Sequence, residues 1–446
     1  MYNKKIIFLS SIGFIIIFYL TASIIIYSNG IQILPDSNSY INMFPLRPPL
    51  YPLIISIFHN FNTNQYLKLL LIFQILLCSY AIYFFCKNLK LLFKLPLHII
   101  FLISLLCSAP YFIFYNLANY IISDAVSYPL FLITLSFFLN AIVRNNIKPL
   151  TISFIFIIFL ILSRKQMLFF YPIIIFLLLY FYLIQKEIRK RIILLFVFFI
   201  ISVILTNLIE RIYFLKIHNK FATVPATGIQ LATPAFYVSN QLDSVLFSDK
   251  EERLYFNTVY QTISDSNWTL QANTRMNRKT GLSHYFIVYN NICHNVIENE
   301  AQKLFHKAFL SNTMNGYLLT DRLTLKIAFK LINKNKWMFL KLYIMNIING
   351  LGGKHYSIFF FLLFCISIYI YIKKRDVSAF LFIMIYFLCL SNVFMVALVE
   401  PTDIYRYFIY NDVAMLSIII VDFYLILNNN KKSLLSPFNS INKQFL

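Results

Sequence analysis

RKRIILLFVFFIISVILTNLIERI, residues 189–212, sets three basic residues before eighteen uncharged positions, Ile192 to Ile209. A helix rises about 1.5 Å per residue and needs about 20 apolar residues to cross a bilayer core of about 30 Å. The stretch therefore reads as a membrane span with a positively charged end. Outward from it, similar runs recur at 6–27, 65–85, 97–117, 124–142, 149–163, 167–184, 356–372, 377–398 and 406–427, which with 192–212 predicts about ten spans. The fifth, 149–163, is short for a crossing and is expected either to tilt or to end inside a cavity.

Composition agrees with this reading. Of 446 residues 59% are hydrophobic and 13% charged, with a mean hydropathy of +0.70, values that exclude a soluble domain of this size. The fold class expected is an all-α polytopic membrane protein. Glycine occurs only 8 times, whereas phenylalanine and tyrosine occur 48 and 31 times. Bulky side chains rather than close backbone contacts must therefore fill the interior. A net charge of +22 would suit nucleic acid, but much of the lysine and arginine lies in short segments between apolar runs, where it orients helices.

With a cytoplasmic N-terminus, the short inside loops carry Lys87, Lys90 and Lys94; Arg144 and Lys148; Lys186, Arg189, Lys190 and Arg191; and Lys373, Lys374 and Arg375. The first run, preceded by Lys4 and Lys5, reads as a retained signal anchor. Four regions follow: a membrane module at 1–212 with a first outside loop at 28–64; an extracytoplasmic segment at 213–355; a second membrane module at 356–427; and a cytoplasmic tail at 428–446. Within 213–355, helices are expected near 249–261, near 283–310 and from 321 onward. Arg322, Lys326, Lys330 and Lys334 recur every fourth residue, which predicts an amphipathic helix lying on the leaflet surface. Cys293 is the one cysteine of that segment, so the segment holds no internal disulfide.

Motifs of soluble enzymes (a nucleophile elbow, a phosphate-binding loop, a zinc-binding histidine pair) are not found, and the seven histidines are scattered. The chemistry-bearing residues gather instead at one membrane face: Asp36 and Arg47 in the first outside loop, Asp124 opening the fourth span, Arg164 after the fifth, and Glu400, Asp403 and Arg406 before the last. Ionisable groups at a membrane boundary are costly and mark a site or a partner. All but Asp124 have a plainer reading as well. Asp36 or Ser37 could cap a short helix, Arg47 and Arg164 could snorkel, and Glu400 and Asp403 could be loop acids paired with Arg406.

Asp36-Ser37-x-x-Tyr40, Arg47-Pro48-Pro49-Leu50-Tyr51-Pro52, Gln74, Ser123-Asp124-Ala125, Leu162-Ser163-Arg164 and Arg406-Tyr407 together resemble landmarks of the polyprenyl-phosphate-dependent GT-C glycosyltransferases, which include the protein O-mannosyltransferases and the lipid A aminoarabinose transferase. The resemblance covers about 1–180 and 399–425 in patches. It implies a GT-C-like fold and transfer of a sugar from a polyprenyl-phosphate donor to a glycan, lipid or protein acceptor on the extracytoplasmic face. Asp36 becomes the catalytic base, Arg47, Arg164 and Arg406 the binders of the donor phosphate, and Tyr40, Asp124, Glu400 and Asp403 the supporting or sugar-binding groups. Ser37 stands where a second acid is frequent in the family, and Asp124 where glutamate is more usual. The expectation is thus metal-independent chemistry with no cofactor. Two other classes compete: a polysaccharide polymerase or ligase acting on lipid-pyrophosphate glycans through 213–355, and a flippase of lipid-linked sugars. The expected setting is a cell membrane, a bacterial inner membrane by preference, with both termini cytoplasmic.

Overall fold

Residues 189–212 fold within a single 30-residue helix, Arg189–His218. The computed structural model describes residues 20–427 apart from 21, 22, 25, 35, 115, 185–188, 276–283, 306–312, 375, 376 and 400–403. Among the described residues there is no β-strand; one isolated bridge joins Gln32 and Tyr120. Among the described residues, seven helical segments are long and apolar enough to cross a membrane: Tyr66–Phe93, Asp124–Val143, Lys165–Leu183, Arg189–His218, Lys354–Lys374, Ser378–Leu398 and Arg406–Leu425. The protein is an all-α, multi-pass membrane protein. Two of the remaining expected spans are shorter apolar helices, Leu97–Ile113 and Lys148–Ser163, and the segment 6–27 falls almost wholly outside the described residues.

The chain divides into two units, the first formed by residues up to Glu210 together with Phe360–Asn392 and the chain from Ile409. Its helices are α1 (Ser37–Ile41), α2 (Leu50–Phe61), α3 (Tyr66–Phe93), α4 (Leu97–Ala109, prolonged by a π-helical turn, Pro110–Phe114), α5 (Asp124–Val143), α6 (Lys148–Ser163), α7 (Phe170–Ile184, entered through a 3-10 turn, Lys165–Phe169) and most of α8 (Arg189–His218). Helix α5 is buried on nearly every side and packs against α3 and α6. Such a helix has no solvent to satisfy its polar groups, so it satisfies them locally. Thr134 and Ser136 donate back to the carbonyls of Leu130 and Leu132. Pro129 cannot donate to the carbonyl of Ala125; the Tyr111 hydroxyl reaches that oxygen at 3.0 Å instead. Aromatic rings fill the space that small residues do not, as where Phe131 meets Tyr410 edge-on at 5.3 Å.

The second unit comprises Arg211–Phe359 and Val393–Phe408. It holds α9 (Thr227–Val238), α10 (Lys250–Asp265), α11 (Leu270–Arg275), α12 (His284–Asn290), which runs through a π-helical stretch (Asn291–Glu298) into α13 (Asn299–Leu304), then α14 (Thr313–Lys334) and α15 (Lys336–Gly350). Parts of α16 (Lys354–Lys374), α17 (Val377–Val399) and α18 (Ile404–Leu427) complete it. Helices α9 and α11 have no counterpart in the sequence reading. Residues 393–408, assigned from sequence to the second membrane module, group with this unit because Val393, Val396 and Phe408 form a small core with Ile347 and Leu351.

The core of the second unit is built on Phe236, Phe256, Tyr285, Ile292 and Cys293, and α14 contributes Ile327, Ala328 and Leu331 to it. This corrects the expectation of a leaflet-lying helix at 322–334. The apolar side of α14 meets protein, and Lys326 and Lys330 of its basic stripe both bind the buried carboxylate of Glu252. Burial pushes that carboxyl up, but the hydrogen bonds and charges of the two lysines outweigh it and leave it below its ordinary value.

Candidate functional site

Asp36, Arg47, Tyr40, Asp124 and Arg164, all in the first unit, fall along one line of side-chain contacts that passes through the neighbouring residues Ser123 and Asp124. Its open end is Asp36, which immediately precedes α1. The capping reading fails for its carboxylate, which makes no hydrogen bond to the helix backbone. Ser37 is the residue that fixes the turn, its hydroxyl accepting from the Leu34 amide at 2.8 Å. The Asp36 carboxylate, 45% exposed, accepts from Arg47 at 2.7 Å.

Arg47 is brought back to α1 by the turn that ends in Pro48 and Pro49. Its Nε donates to the Ser39 hydroxyl at 2.6 Å, and its guanidinium lies 4.8 Å from the centre of the Tyr40 ring. Burial works against the Arg47 charge, yet Tyr40 and Asp36 outweigh it and its proton is held more firmly than usual. Arg47 is therefore tied in on three sides, by Asp36, Ser39 and Tyr40.

Tyr40 carries the line inward. Its ring is buried, edge-on to Tyr51 at 5.3 Å, and its hydroxyl is 3.0 Å from the hydroxyl of Ser123. Tyr51 donates to Gln74, and Gln74 in turn donates to the carbonyls of Ala118 at 3.1 Å and Tyr120 at 3.3 Å. A buried amide with these partners holds the corner between α4 and α5 in place. Asn119 of the same corner donates to the carbonyls of Ile26 and Gly30, and its own carbonyl accepts from Gln32.

Asp124, next to Ser123, is the sealed end of the line. It opens α5, where the helix dipole favours a negative charge, and it has no exposed surface. Tyr410 donates to it at 2.9 Å, with the Tyr410 hydroxyl also 2.7 Å from Ser127. Arg164 pairs with the same carboxylate oxygen and is itself only 7% exposed. Its position follows from the backbone, because α6 stops at Ser163 and Arg164 turns extended (φ −157°, ψ 122°). Helix α6 thus ends on a buried ion pair.

The next two residues extend the polar ground. Lys165 pairs with Glu210, which is fully buried on α8. Gln166 donates to Asn392 at 2.7 Å, and Asn392 donates to Asn411 at 3.0 Å. Sequence reading missed Glu210, Tyr410, Asn392 and Asn411. An acid inside the window 192–212 was a usable signal; uncharged asparagines and a tyrosine in apolar helices gave none.

Arg406 lies in the second unit, half-buried in the first turn of α18. Glu400 and Asp403 lie outside the described residues. Among the described residues no three histidine, cysteine, aspartate or glutamate side chains come together as a metal site would require. Compared with protein-family models, with curated proteins and with solved structures, the chain matches none.

Proposed function

We propose that the protein is an integral-membrane glycosyltransferase that moves a sugar from a polyprenyl-phosphate donor to a glycan, lipid or protein acceptor at the extracytoplasmic face of a cell membrane. The observation that carries this reading is the contact line Asp36–Arg47–Tyr40–Ser123, continued by Asp124 to Arg164. It places an accessible carboxylate beside a guanidinium at one end and a sealed, charge-balanced pair at the other.

In the proposed reaction the acceptor hydroxyl attacks the anomeric carbon and gives its proton to Asp36, a positioned general base. The bond from that carbon to the phosphate oxygen breaks, and the lipid phosphate leaves with the electron pair. Arg47 is the group suited to meet the growing negative charge, since a guanidinium stays protonated and binds phosphate through two parallel hydrogen bonds. In the free protein the same guanidinium holds the Asp36 carboxylate in place. Asp124 acts through Arg164, fixing its orientation. Arg406, Glu400 and Asp403 enter on the resemblance alone. No metal or cofactor is part of this reading.

The test is transfer from a radiolabelled synthetic polyprenyl-phosphate hexose to envelope extracts, by full-length protein in lipid nanodiscs. Asp36→Asn is expected to abolish transfer while leaving expression and thermal stability close to wild type, because an exposed ion pair contributes at most about 1 kcal/mol. Transfer at the wild-type rate by that variant removes Asp36 as base.

A flippase of lipid-linked sugars is the second reading. What favours it is the polar matter on helices of the first unit, Glu210 with Lys165 and Gln166 with Asn392 and Asn411. Movement of the lipid-linked sugar across the bilayer of proteoliposomes, with no new glycosidic bond, would select it. The polymerase or ligase reading loses ground because Glu252 already occupies Lys326 and Lys330.

A further inference from the structure

Helix α15 has two unlike sides. Leu342 and Asn346 are buried, whereas Trp337 is 70% exposed and Leu340 and Ile344 are exposed with it. At 100° per residue, Trp337, Leu340, Lys341 and Ile344 fall on one stripe, with Lys336 at its edge. A tryptophan and two branched aliphatic residues facing outward from a single helix form an apolar surface that needs a cover.

The other side of α15 is held by the chain around it. Asn346 donates to the carbonyl of Ala397 at 3.0 Å, and Tyr343 to that of Phe394 at 3.0 Å. Both carbonyls belong to the last turns of Ser378–Leu398, a helix suited to cross the membrane. Gly350 lies against Val393 and Phe408, so close that a β-carbon there would collide with the Phe408 ring. After three intervening residues the chain enters α16, a candidate span of which hardly any side chain is buried. One end of α15 is thus fixed to the membrane-boundary turns of one span and joined directly to the start of another.

We propose that α15 lies in the headgroup zone of the bilayer, with Trp337, Leu340 and Ile344 at the boundary of the acyl chains. Lys336 and Lys341 reach anionic lipid phosphates. Tryptophan is the side chain that favours this zone, and lysines snorkel from it to the headgroups. The surface-lying helix expected at 322–334 is thereby assigned one element further along the chain.

The chain has two tryptophans, and Trp268 packs partly buried against the core of the second unit. Trp268→Phe therefore leaves Trp337 as the sole fluorophore. The full chain carrying it is placed in nanodiscs of phosphatidylcholine and phosphatidylglycerol. Emission is read with lipids brominated close to the headgroup, with lipids brominated near the chain ends, and with aqueous iodide. The expected result is blue-shifted emission that loses about half its intensity to the headgroup-side bromines and clearly less to the other two quenchers. Strong iodide quenching without bromolipid quenching places the helix in water and overturns the proposal. Protection from all three quenchers points to a second copy of the chain on this face and overturns it equally. Should Trp268→Phe fail to fold, the difference between wild type and Trp337→Phe reports the same quantity.

Discussion

At the residue scale, Asp124 and Arg164 carry the clearest energetic prediction. Each is almost devoid of exposed surface, so removing one charge leaves the other in a dry site without its ion-pair partner. Asp124→Asn is expected to destabilise the protein by about 3–5 kcal/mol, read as loss of thermal stability in detergent. Combined with Arg164→Gln, the two costs should fall short of additivity by about 1–3 kcal/mol. A fully additive cycle would mean that the two side chains act independently. Glu252 makes a pH-dependent prediction. Its folded-state value lies below the ordinary 4.5, so its contribution is complete above that pH and is lost as pH falls through the lowered folded value. Glu252→Gln should therefore cost about 2 kcal/mol at neutral pH and progressively less below pH 4.5, where wild type and variant converge. Asp36, Arg47, Asp124 and Arg164 could be selected from sequence because charge is conspicuous beside apolar runs. Their pairing could not, since Asp36 and Arg47 meet through a tight turn, and Asp124 and Arg164 through the packing of α5 against α6.

At the element scale, the contact between α9 and α14 is set by Gly228. Its amide donates to the Asp321 carboxylate at 2.6 Å. A β-carbon on Gly228 would stand against the backbone oxygen of Asp321 and the backbone nitrogen of Leu325. Because backbone cannot rotate away as a side chain can, Gly228→Ala should separate the two helices at a cost of about 3 kcal/mol. Limited proteolysis of the second unit is expected to accelerate accordingly, and unchanged protease resistance would rule out that close approach. The two basic amphipathic helices differ in a way that periodicity does not reveal. Their spacing shows that α14 has an apolar side but not whether protein or lipid covers it. Ile327, Ala328 and Leu331 are covered by the core, whereas Trp337 and Ile344 on α15 remain outside it. The same alternation of apolar and basic residues serves both cases, because burial against either medium removes apolar surface from water.

At the scale of the whole molecule, topology is the outstanding expectation. Cys293 cannot report it, being buried in the core of the second unit. Lys250, exposed at the start of α10, is a better position. Lys250→Cys is expected to react with a membrane-impermeant maleimide in intact cells, and reaction only after lysis would invert the orientation. The sequence by itself determined that this is a multi-pass helical membrane protein and roughly where most of its crossing helices lie. Hydropathy and positive charge are sums over local residues, and the bilayer reads those sums directly. Only the tertiary structure decided that Arg47 rather than the helix backbone takes the Asp36 carboxylate, that Glu210, Tyr410 and Asn392 belong to the polar interior, and that α14 faces protein. Those choices depend on which neutral or charged groups come within hydrogen-bonding distance once helices far apart in the chain have packed.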